Sequence, residues 1–249
     1  ALGDVYKRQL TTFTAMPGIC VDAAPRQITE ATENGGLAKL TETYSGPGVS
    51  ATGLFDPAAA GVGIHTIRYT FTALNGCTHF SESQIEVWPR PTAQLNVLSP
   101  NCEKNAITFN SNGSQSNAVS LTTWKWNFGD NTPAVTTTSN TPVTHVYAAY
   151  GNYTADLIVT NNRGCNSLPQ PLNLTVHPLP VIDFSLPKIC LPDGRGQFND
   201  LSTIPDNTQS TFKYRWDFGD INAAPVNSDT SILKNPFYQY RNLGPYTVQ

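Results

Sequence analysis

One five-residue segment occurs twice in this chain and constrains its fold more than any other feature. Residues 126–130 read Trp-Asn-Phe-Gly-Asp, and residues 216–220 read Trp-Asp-Phe-Gly-Asp. In both copies aromatic and polar residues alternate, which is the period of a half-buried β-strand. Each strand ends in Gly-Asp, where glycine permits a turn and the aspartate can accept hydrogen bonds from backbone N–H groups just beyond it. Two copies of one core strand predict a repeat protein.

A second repeated feature is an alternating strand followed by a turn and a cysteine. Residues 67–71 alternate apolar and polar side chains, and residues 153–160 do so apart from Ile158. The turns that follow end in Gly76-Cys77 and Gly164-Cys165. No segment shows a helical period longer than a turn or two. Many short strands separated by Gly, Pro and Asn turns predict an all-β chain of antiparallel sandwiches.

Each unit closes with a proline-spaced joint. The joints read Trp-Pro-Arg-Pro at 88–91 and His-Pro-Leu-Pro at 177–180. The valines that precede them, Val87 and Val176, are 89 residues apart. Because proline restricts φ and cannot donate a hydrogen bond to a sheet, Pro-x-Pro predicts a stiff, extended spacer between domains.

These joints divide the chain into domains. The first nine residues fit no repeat, and we interpret them as a non-native tag. The third unit stops inside a strand, so we expect it to be truncated at its C-terminus. The predicted segments are a tag at 1–9 and three β-sandwiches at 10–89, 90–178 and 179–249.

Charge and hydropathy exclude two classes of partner. Charged residues make up 13% of the chain and the formal net charge is -3. This near-neutral balance gives no electrostatic footprint for nucleic acid or for an anionic membrane surface. No stretch approaches the roughly 18 apolar residues that a membrane-spanning helix needs. We expect no nucleic acid partner and no membrane span in these residues.

The cysteines follow the same division. Each unit opens with one cysteine and the first two carry a second after the late strand, which predicts the pairs Cys20–Cys77 and Cys102–Cys165. Cys190 is left unpaired, because its expected partner falls 12 residues beyond Tyr246. Disulfides that close loops of 57 and 63 residues would stabilise each domain by roughly 4 kcal/mol in the chain-entropy model. Disulfides predict an oxidising, extracellular or cell-surface location.

The cysteines allow two other interpretations. The first is five reduced, buried thiols. The second is a zinc site, which is disfavoured because there is no Cys-x-x-Cys and the four histidines are scattered over different units.

The repeated aspartates and tryptophans are the first candidates for a binding site. Asp130 and Asp220 could help to hold calcium, but no Asp-x-Asp-x-Asp-Gly loop or carboxylate cluster accompanies them, so turn capping is favoured. Trp126 and Trp216 could stack on sugars if exposed, yet their alternation favours core packing. We predict no cofactor and no metal site. A structural role is assigned to eight residues: Trp126, Phe128, Gly129, Asp130, Trp216, Phe218, Gly219 and Asp220.

Trp88 differs because it stands in a joint rather than in the middle of a strand. It is either wedged between domains or exposed, and it is the candidate binding residue. Nothing indicates catalysis. Residues 217–219 spell the Asp-Phe-Gly of kinases, but no Gly-rich loop, strand lysine or His-Arg-Asp accompanies them. Gly-x-Ser-x-Gly is absent too, and no cysteine stands with a histidine in a recognisable nucleophile context. We therefore predict that this chain is not an enzyme.

The combined motif resembles the polycystic-kidney-disease-type (PKD) domain, an immunoglobulin-like β-sandwich. The resemblance covers about 90–249. The matching segments are 126–130, 145–147, 151–154 and 160–164 in one unit, and 216–220, 238–240 and 244–247 in the next. There are departures from the family pattern: Asn127 stands where Asp is usual, Asn131 and Ile221 where Gly is usual, and Tyr238 where the preceding unit has His145. These departures concern single side chains and not the fold.

The first unit is similar to the Ig-like modules that accompany PKD domains in large secreted bacterial surface proteins. Its segments 44–48, 55–57 and 60–67 carry this similarity. The resemblance implies secretion, often by type IX export, and includes adhesins involved in gliding motility. It also implies that the partners are other domains of the same long chain, and surface polysaccharide or another surface protein.

The sequence thus predicts a structural and adhesive spacer segment of a large secreted or cell-surface protein. Two alternatives remain open. One is a carbohydrate- or protein-binding accessory module of a secreted hydrolase. The other is a subunit of an extracellular filament, in which exposed strand edges would pair between chains.

Overall fold

The computed structural model describes residues 11–98, 100–117, 119–223 and 228–249. The segment 1–9, predicted to be a tag, lies outside the described residues. The described elements are almost all β-strands. The predicted all-β, immunoglobulin-like sandwich fold is confirmed.

The first part of the chain forms eight strands and one short helix. The elements are β1 (Thr11–Phe13), β2 (Ile19–Cys20), β3 (Arg26–Gln27), β4 (Ala31–Glu33), β5 (Lys39–Ser45), β6 (Leu54–Phe55), α1 (Pro57–Ala60), β7 (Gly63–Ala73) and β8 (Thr78–Trp88). The principal sheet has the order β2-β8-β7-β5, and β3-β6 and β1-β4 form two-stranded sheets. Strands β7 and β8 form an antiparallel hairpin from Gly63↔Val87 to Thr72↔Thr78. Strand β2 instead runs parallel to β8.

The middle part forms seven strands in two sheets. They are β9 (Asn96–Leu98), β10 (Ala106–Asn110), β11 (Leu121–Asn127), β12 (Val135–Thr137), β13 (Val143–Val146), β14 (Gly151–Asn161) and β15 (Gln170–Val176). One sheet has the order β13-β10-β9 and the other β12-β11-β14-β15. Two such sheets of antiparallel strands are the components of a β-sandwich.

The last part forms shorter strands. They are β16 (Phe184–Ser185), β17 (Arg195–Gln197), β18 (Asn199–Asp200), β19 (Trp216–Asp217), β20 (Thr230–Ser231) and β21 (Phe237–Gln239), with a 3-10 helix at Gln209–Thr211. The strands pair as β16-β18, β17-β21 and β19-β20. At the C-terminus, the backbone N–H and C=O of Gln249 both bond to Asp217, at 2.8 and 2.9 Å.

Alternating side chains supply the cores. In β7, Ile67, Tyr69 and Phe71 are buried at 0%, 2% and 3% exposure, while Arg68 between them is exposed. Burial of each large apolar side chain contributes about 1.5–3 kcal/mol. The buried cluster in the last part of the chain consists of Phe198, Trp216, Phe218, Tyr238 and Tyr240.

The described residues group into two compact units. The first contains residues 11–98, 108–144 and 154–173, and the second contains residues 100–107, 145–153 and 174–249. In the part of the chain that the structure describes, no helix is both long and apolar enough to cross a bilayer.

Candidate functional site

The repeated tryptophans lie inside the sandwiches. Trp126 and Trp216 are 1% and 6% exposed. The Trp126 indole N–H donates to Thr137 Oγ1 at 3.3 Å, and that of Trp216 donates to the Leu233 carbonyl oxygen at 2.9 Å. A buried indole with a satisfied N–H stabilises the core and offers no face to a sugar ring.

The repeated glycines occupy positions where another residue would collide with the backbone. Gly129 and Gly219 have φ angles of +75° and +69°. A Cβ atom on Gly129 would lie 2.2 Å from the Thr154 carbonyl oxygen, and one on Gly219 would lie 2.3 Å from that of Thr247. Both the positive φ and the close approach require glycine.

The repeated aspartates cap the turns. Asp130 Oδ1 accepts from the backbone N–H and the hydroxyl of Thr132, at 3.2 and 2.6 Å. Asp220 accepts from the backbone N–H of Asn222 at 3.1 Å and from the Tyr238 hydroxyl at 3.0 Å. Burial and the neighbouring Asp220 raise the pKa of Tyr238. Among the described residues, no group of three or more His, Cys, Asp and Glu side chains could hold a metal ion.

The first joint is held at the end of strand β8. The parallel pairing of β2 with β8 places Cys20 opposite Trp88. The backbone N–H of Val21 donates to the Trp88 carbonyl oxygen at 2.9 Å. Two residues further along, Arg90 and Asp22 form an ion pair at 2.8 Å. The residues on either side of Cys20 and Trp88 are therefore tied to one another.

The structure contains a disulfide that differs from the predicted pairs. Cys20 is bonded to Cys165, with a Cα–Cα distance of 5.6 Å and a sequence separation of 145 residues. The predicted pairs Cys20–Cys77 and Cys102–Cys165 are therefore wrong. Cys77 and Cys190 are exposed free thiols and Cys102 is a half-buried one, so the alternative of five buried thiols is wrong too.

The length of β8 explains why Cys20 does not pair with Cys77. Cys20 pairs with Trp88 at the last residue of this strand, whereas Cys77 precedes its first residue, Thr78. The strand has 11 residues, which at 3.2–3.4 Å each separate its ends by about 35 Å. A disulfide requires Cα atoms within about 7 Å. The predicted pairing would require the two ends of the sandwich to meet.

Trp88 lies in the joint beside this disulfide. A Cβ atom on Gly18 would lie 2.1 Å from the indole ring, so the ring rests directly on the Gly18 backbone. On another side, the Arg163 guanidinium carbon lies 4.9 Å from the ring centroid, which is cation–π distance. Arg163 also pairs with Glu86 at 2.9 Å. Interactions with Trp88 and Arg163 hold the pKa of the Glu86 carboxyl below its ordinary value.

We name this group the joint clamp: the Cys20–Cys165 disulfide with Trp88, Arg163 and Glu86. It connects the segment before the first Pro-x-Pro joint with the turn after β14. Sequence reasoning placed Trp88 in the joint but missed Gly18, Glu86 and Arg163. No sequence signal marked Glu86 or Arg163, because exposed charged residues are common on sandwich surfaces.

A similar backbone arrangement occurs at the second joint. Cys102 forms a parallel bridge with His177, and the Glu103 N–H donates to the His177 carbonyl oxygen at 2.9 Å. The Glu103 carboxylate is 9% exposed and accepts from the backbone N–H groups of Tyr150 and Leu179, at 3.0 and 3.2 Å. The second joint therefore has the same parallel pairing as the first.

Exposed aromatic side chains are dispersed. Phe80, Tyr150 and Phe237 are 50%, 47% and 74% exposed. They belong to β8, to the turn before β14 and to β21, respectively, and the Arg68 guanidinium covers the Phe80 ring at 4.2 Å. A sugar-binding strip would need several such rings on one face.

Comparison with known proteins identifies the middle part of the chain. Residues 88–176 match the family model described as the PKD domain. Residues 88–176 form a PKD domain. The domain contains both Trp88 and Cys165 of the joint clamp. PKD and Ig-like sandwiches are typically non-catalytic, and they fit an accessory or spacer module of secreted proteins.

Individual proteins are similar to parts of this chain. A stretch of 64 residues is 42% identical to the collagenase ColA of Bacillus cereus. The stretch covers 26% of this chain and 6% of the collagenase. The PKD1 domain of the Vibrio cholerae metalloprotease PrtV is 20% identical, with a TM-score of 0.30 over 35% of this chain and 96% of that one. The fibronectin(III)-like modules of Clostridium thermocellum CbhA are 11% identical, with a TM-score of 0.35 over 68% and 95%.

Proposed function

We propose that this chain is a spacer segment of a large secreted or cell-surface protein, in which the joint clamp stiffens the connection between consecutive sandwiches. This proposal rests on the disulfide between Cys20 and Cys165. The two cysteines are 145 residues apart in the sequence and lie on either side of the first Pro-x-Pro joint. A covalent bond beside a proline-restricted joint removes most of the freedom that the joint would otherwise have. The segment would then hold attached domains at a defined distance and so mediate display or adhesion.

The noncovalent contacts of the clamp support the same role. Trp88 packs on Gly18, and Arg163 contacts both Trp88 and Glu86. The Arg163–Glu86 pair is partly exposed, at 34% and 44%, so solvent screens it and its contribution to stability is small. The disulfide therefore provides most of the restraint, and the aromatic contact determines how the surfaces meet.

The distance distribution across the first joint tests this proposal. Dyes would be attached through non-cysteine amino acids at Asn75 and Thr136, which are exposed in strands or turns on either side of the joint. We expect a narrow distribution in the oxidised chain and a broad one in Cys165→Ser. Cys77→Ser removes a thiol that forms no disulfide, and it is the matched control. It should leave the distance distribution unchanged. Equal widths in the oxidised chain and Cys165→Ser would contradict the spacer mechanism.

A second candidate function is an accessory module that binds a polymer for an attached hydrolase. It is favoured by one observation, the 42% identity over 64 residues to a collagenase. The test is depletion of the purified chain from solution by insoluble polysaccharide and by fibrillar collagen. Retention that is lost in Phe80→Ala, Tyr150→Ala or Phe237→Ala would support this candidate. Absence of retention on both polymers would eliminate these two ligands.

A further inference from the structure

A buried carboxylate binds the middle residue of the second joint. Residues 178–180 read Pro-Leu-Pro, so Leu179 carries the only backbone N–H group of the three, because proline has none. This N–H donates to Glu103 Oε1 at 3.2 Å. The other carboxylate oxygen, Oε2, accepts from the backbone N–H of Tyr150 at 3.0 Å. Glu103 is 9% exposed, and hydrogen bonds from backbone N–H groups to a carboxylate are stronger than those between neutral groups.

The chain is also held immediately after this joint. Val181 and Thr203 exchange two backbone hydrogen bonds, at 2.8 and 3.0 Å. Because the carboxylate holds Leu179, Pro180 alone separates the part of the chain attached to the second repeat from the part attached to the third. Proline also restricts φ at that residue. Without the hydrogen bond from Leu179, the segment between the two attachments would lengthen to residues 178–180.

The two hydrogen bonds require a carboxylate at position 103. Glu103 accepts one N–H group on each of its oxygens. A glutamine has one acceptor oxygen and one NH2 group, so one of the two N–H groups would face another donor. The shorter bond, to Tyr150, is the one that a glutamine would keep. The contact with Leu179 therefore depends on the charged group and not only on the size of the side chain.

The first joint has a related contact and a covalent bond in addition. Arg90 is the middle residue of the first Pro-x-Pro, and its guanidinium pairs with Asp22 at 2.8 Å. The Cys20–Cys165 disulfide lies beside that contact. At the second joint, by contrast, Cys102 is a free thiol. A carboxylate therefore binds the middle residue at both joints, but only the first has the disulfide.

We propose that the Glu103 carboxylate and the N–H groups of Leu179 and Tyr150 form a joint latch, which fixes the chain between the second and third repeats without a covalent bond. The inference deepens the proposed spacer function and rests on it, because it assigns the restraint at the next joint of the same spacer. The two joints are then released by different changes. Reduction of the disulfide frees the first joint, whereas loss of the Glu103 carboxylate frees the second.

Hydrogen exchange of backbone amides, followed by NMR on the oxidised full chain, tests the joint latch. We expect the Leu179 amide to be protected in the unmodified protein, and to exchange about tenfold faster or more in Glu103→Gln, as the loss of a hydrogen bond to a charged group predicts. Glu82→Gln removes an exposed carboxylate in β8 and is the matched control, which should leave the Leu179 amide unchanged. An unprotected Leu179 amide in the folded, unmodified protein would overturn the inference without any variant.

Distance distributions distinguish this inference from the spacer function. Dyes at the exposed residues Thr136 and Asn242 report on the second joint, and dyes at Asn75 and Thr136 report on the first. Glu103→Gln should broaden the first of these distributions and leave the second narrow. Equal widths across the second joint with and without the Glu103 carboxylate would overturn the joint latch. A broad distribution across the first joint, with a second joint that Glu103→Gln broadens, would contradict the spacer function and leave the joint latch intact.

Discussion

Gly129 and Gly164 both have positive φ, at +75° and +82°, yet they differ in what surrounds them. A Cβ on Gly129 would meet the Thr154 carbonyl oxygen at 2.2 Å, whereas a Cβ on Gly164 would have nothing within 4 Å. Gly129 is required both by its positive φ and by the lack of space for a Cβ atom, whereas Gly164 is required by its positive φ alone. The repeated Gly of the Trp-x-Phe-Gly-Asp segment is therefore a packing requirement as well as a turn requirement.

This difference predicts the cost of two matched substitutions. Gly164→Ala should lower the free energy of unfolding by about 1–2 kcal/mol, the cost of a left-handed alanine. Gly129→Ala should add an overpacking cost of about 1–3 kcal/mol, because β14 has to move away from the turn. Equilibrium denaturation followed by tryptophan fluorescence measures both. Equal losses for the two variants would show that the contact with Thr154 has no energetic role.

At the scale of elements, the aromatic cluster of the last sandwich couples its stability to pH. Tyr240 is 4% exposed and donates to the Phe218 carbonyl oxygen at 2.8 Å. Burial first, and then the charges of Asp229 and Asp220, raise the pKa of Tyr240 to about 12. Tyrosine in an unfolded chain has a pKa of about 10. The folded state therefore holds its proton more tightly than the unfolded state does.

The contribution of Tyr240 to the free energy of unfolding should consequently be constant below about pH 10 and fall as pH rises from about 10 towards 12. In that window the unfolded chain loses protons that the folded chain retains. Thermal melts at pH 9, 10 and 11, with tyrosinate absorbance recorded in parallel, measure the slope. Tyr240→Phe removes one ionising group and should therefore reduce the slope of stability against pH. An unchanged slope in that variant would assign the effect to other tyrosines, of which Tyr238 also has a raised pKa.

The same elements show what the sequence could predict. Alternation in 67–71 and in the Trp-x-Phe-Gly-Asp segments predicted strands with a buried face, because a period of two is a local property of the chain. The pairing of Cys20 could not be obtained in this way. It depends on β2 running parallel to β8 and on the following sandwich approaching the joint, and both are long-range properties. The same order of cysteines in two units suggested pairs within units, although this order is equally compatible with pairs between consecutive units.

At the scale of the whole molecule, one bond closes a very long loop. The Cys20–Cys165 disulfide spans 145 residues, against 57 and 63 for the pairs that the sequence predicted. In the chain-entropy model, closing a loop of this length stabilises the folded state by about 5 kcal/mol. The bond also ties the unfolding of the first sandwich to that of the PKD domain, since neither can extend fully while it is intact.

A double-mutant cycle measures this contribution. Cys20→Ser and Cys165→Ser each remove the same bond, so each should lower the free energy of unfolding by up to about 5 kcal/mol, and the double variant should lose little more than either single one. Cys77→Ser should not lower the free energy of unfolding by a comparable amount, because Cys77 is exposed and forms no disulfide. With the bond removed, the two sandwiches should also unfold in separate transitions. Additive losses for Cys20→Ser and Cys165→Ser would mean that each side chain acts through its own packing, and that the clamp does not join the two domains into one cooperative unit.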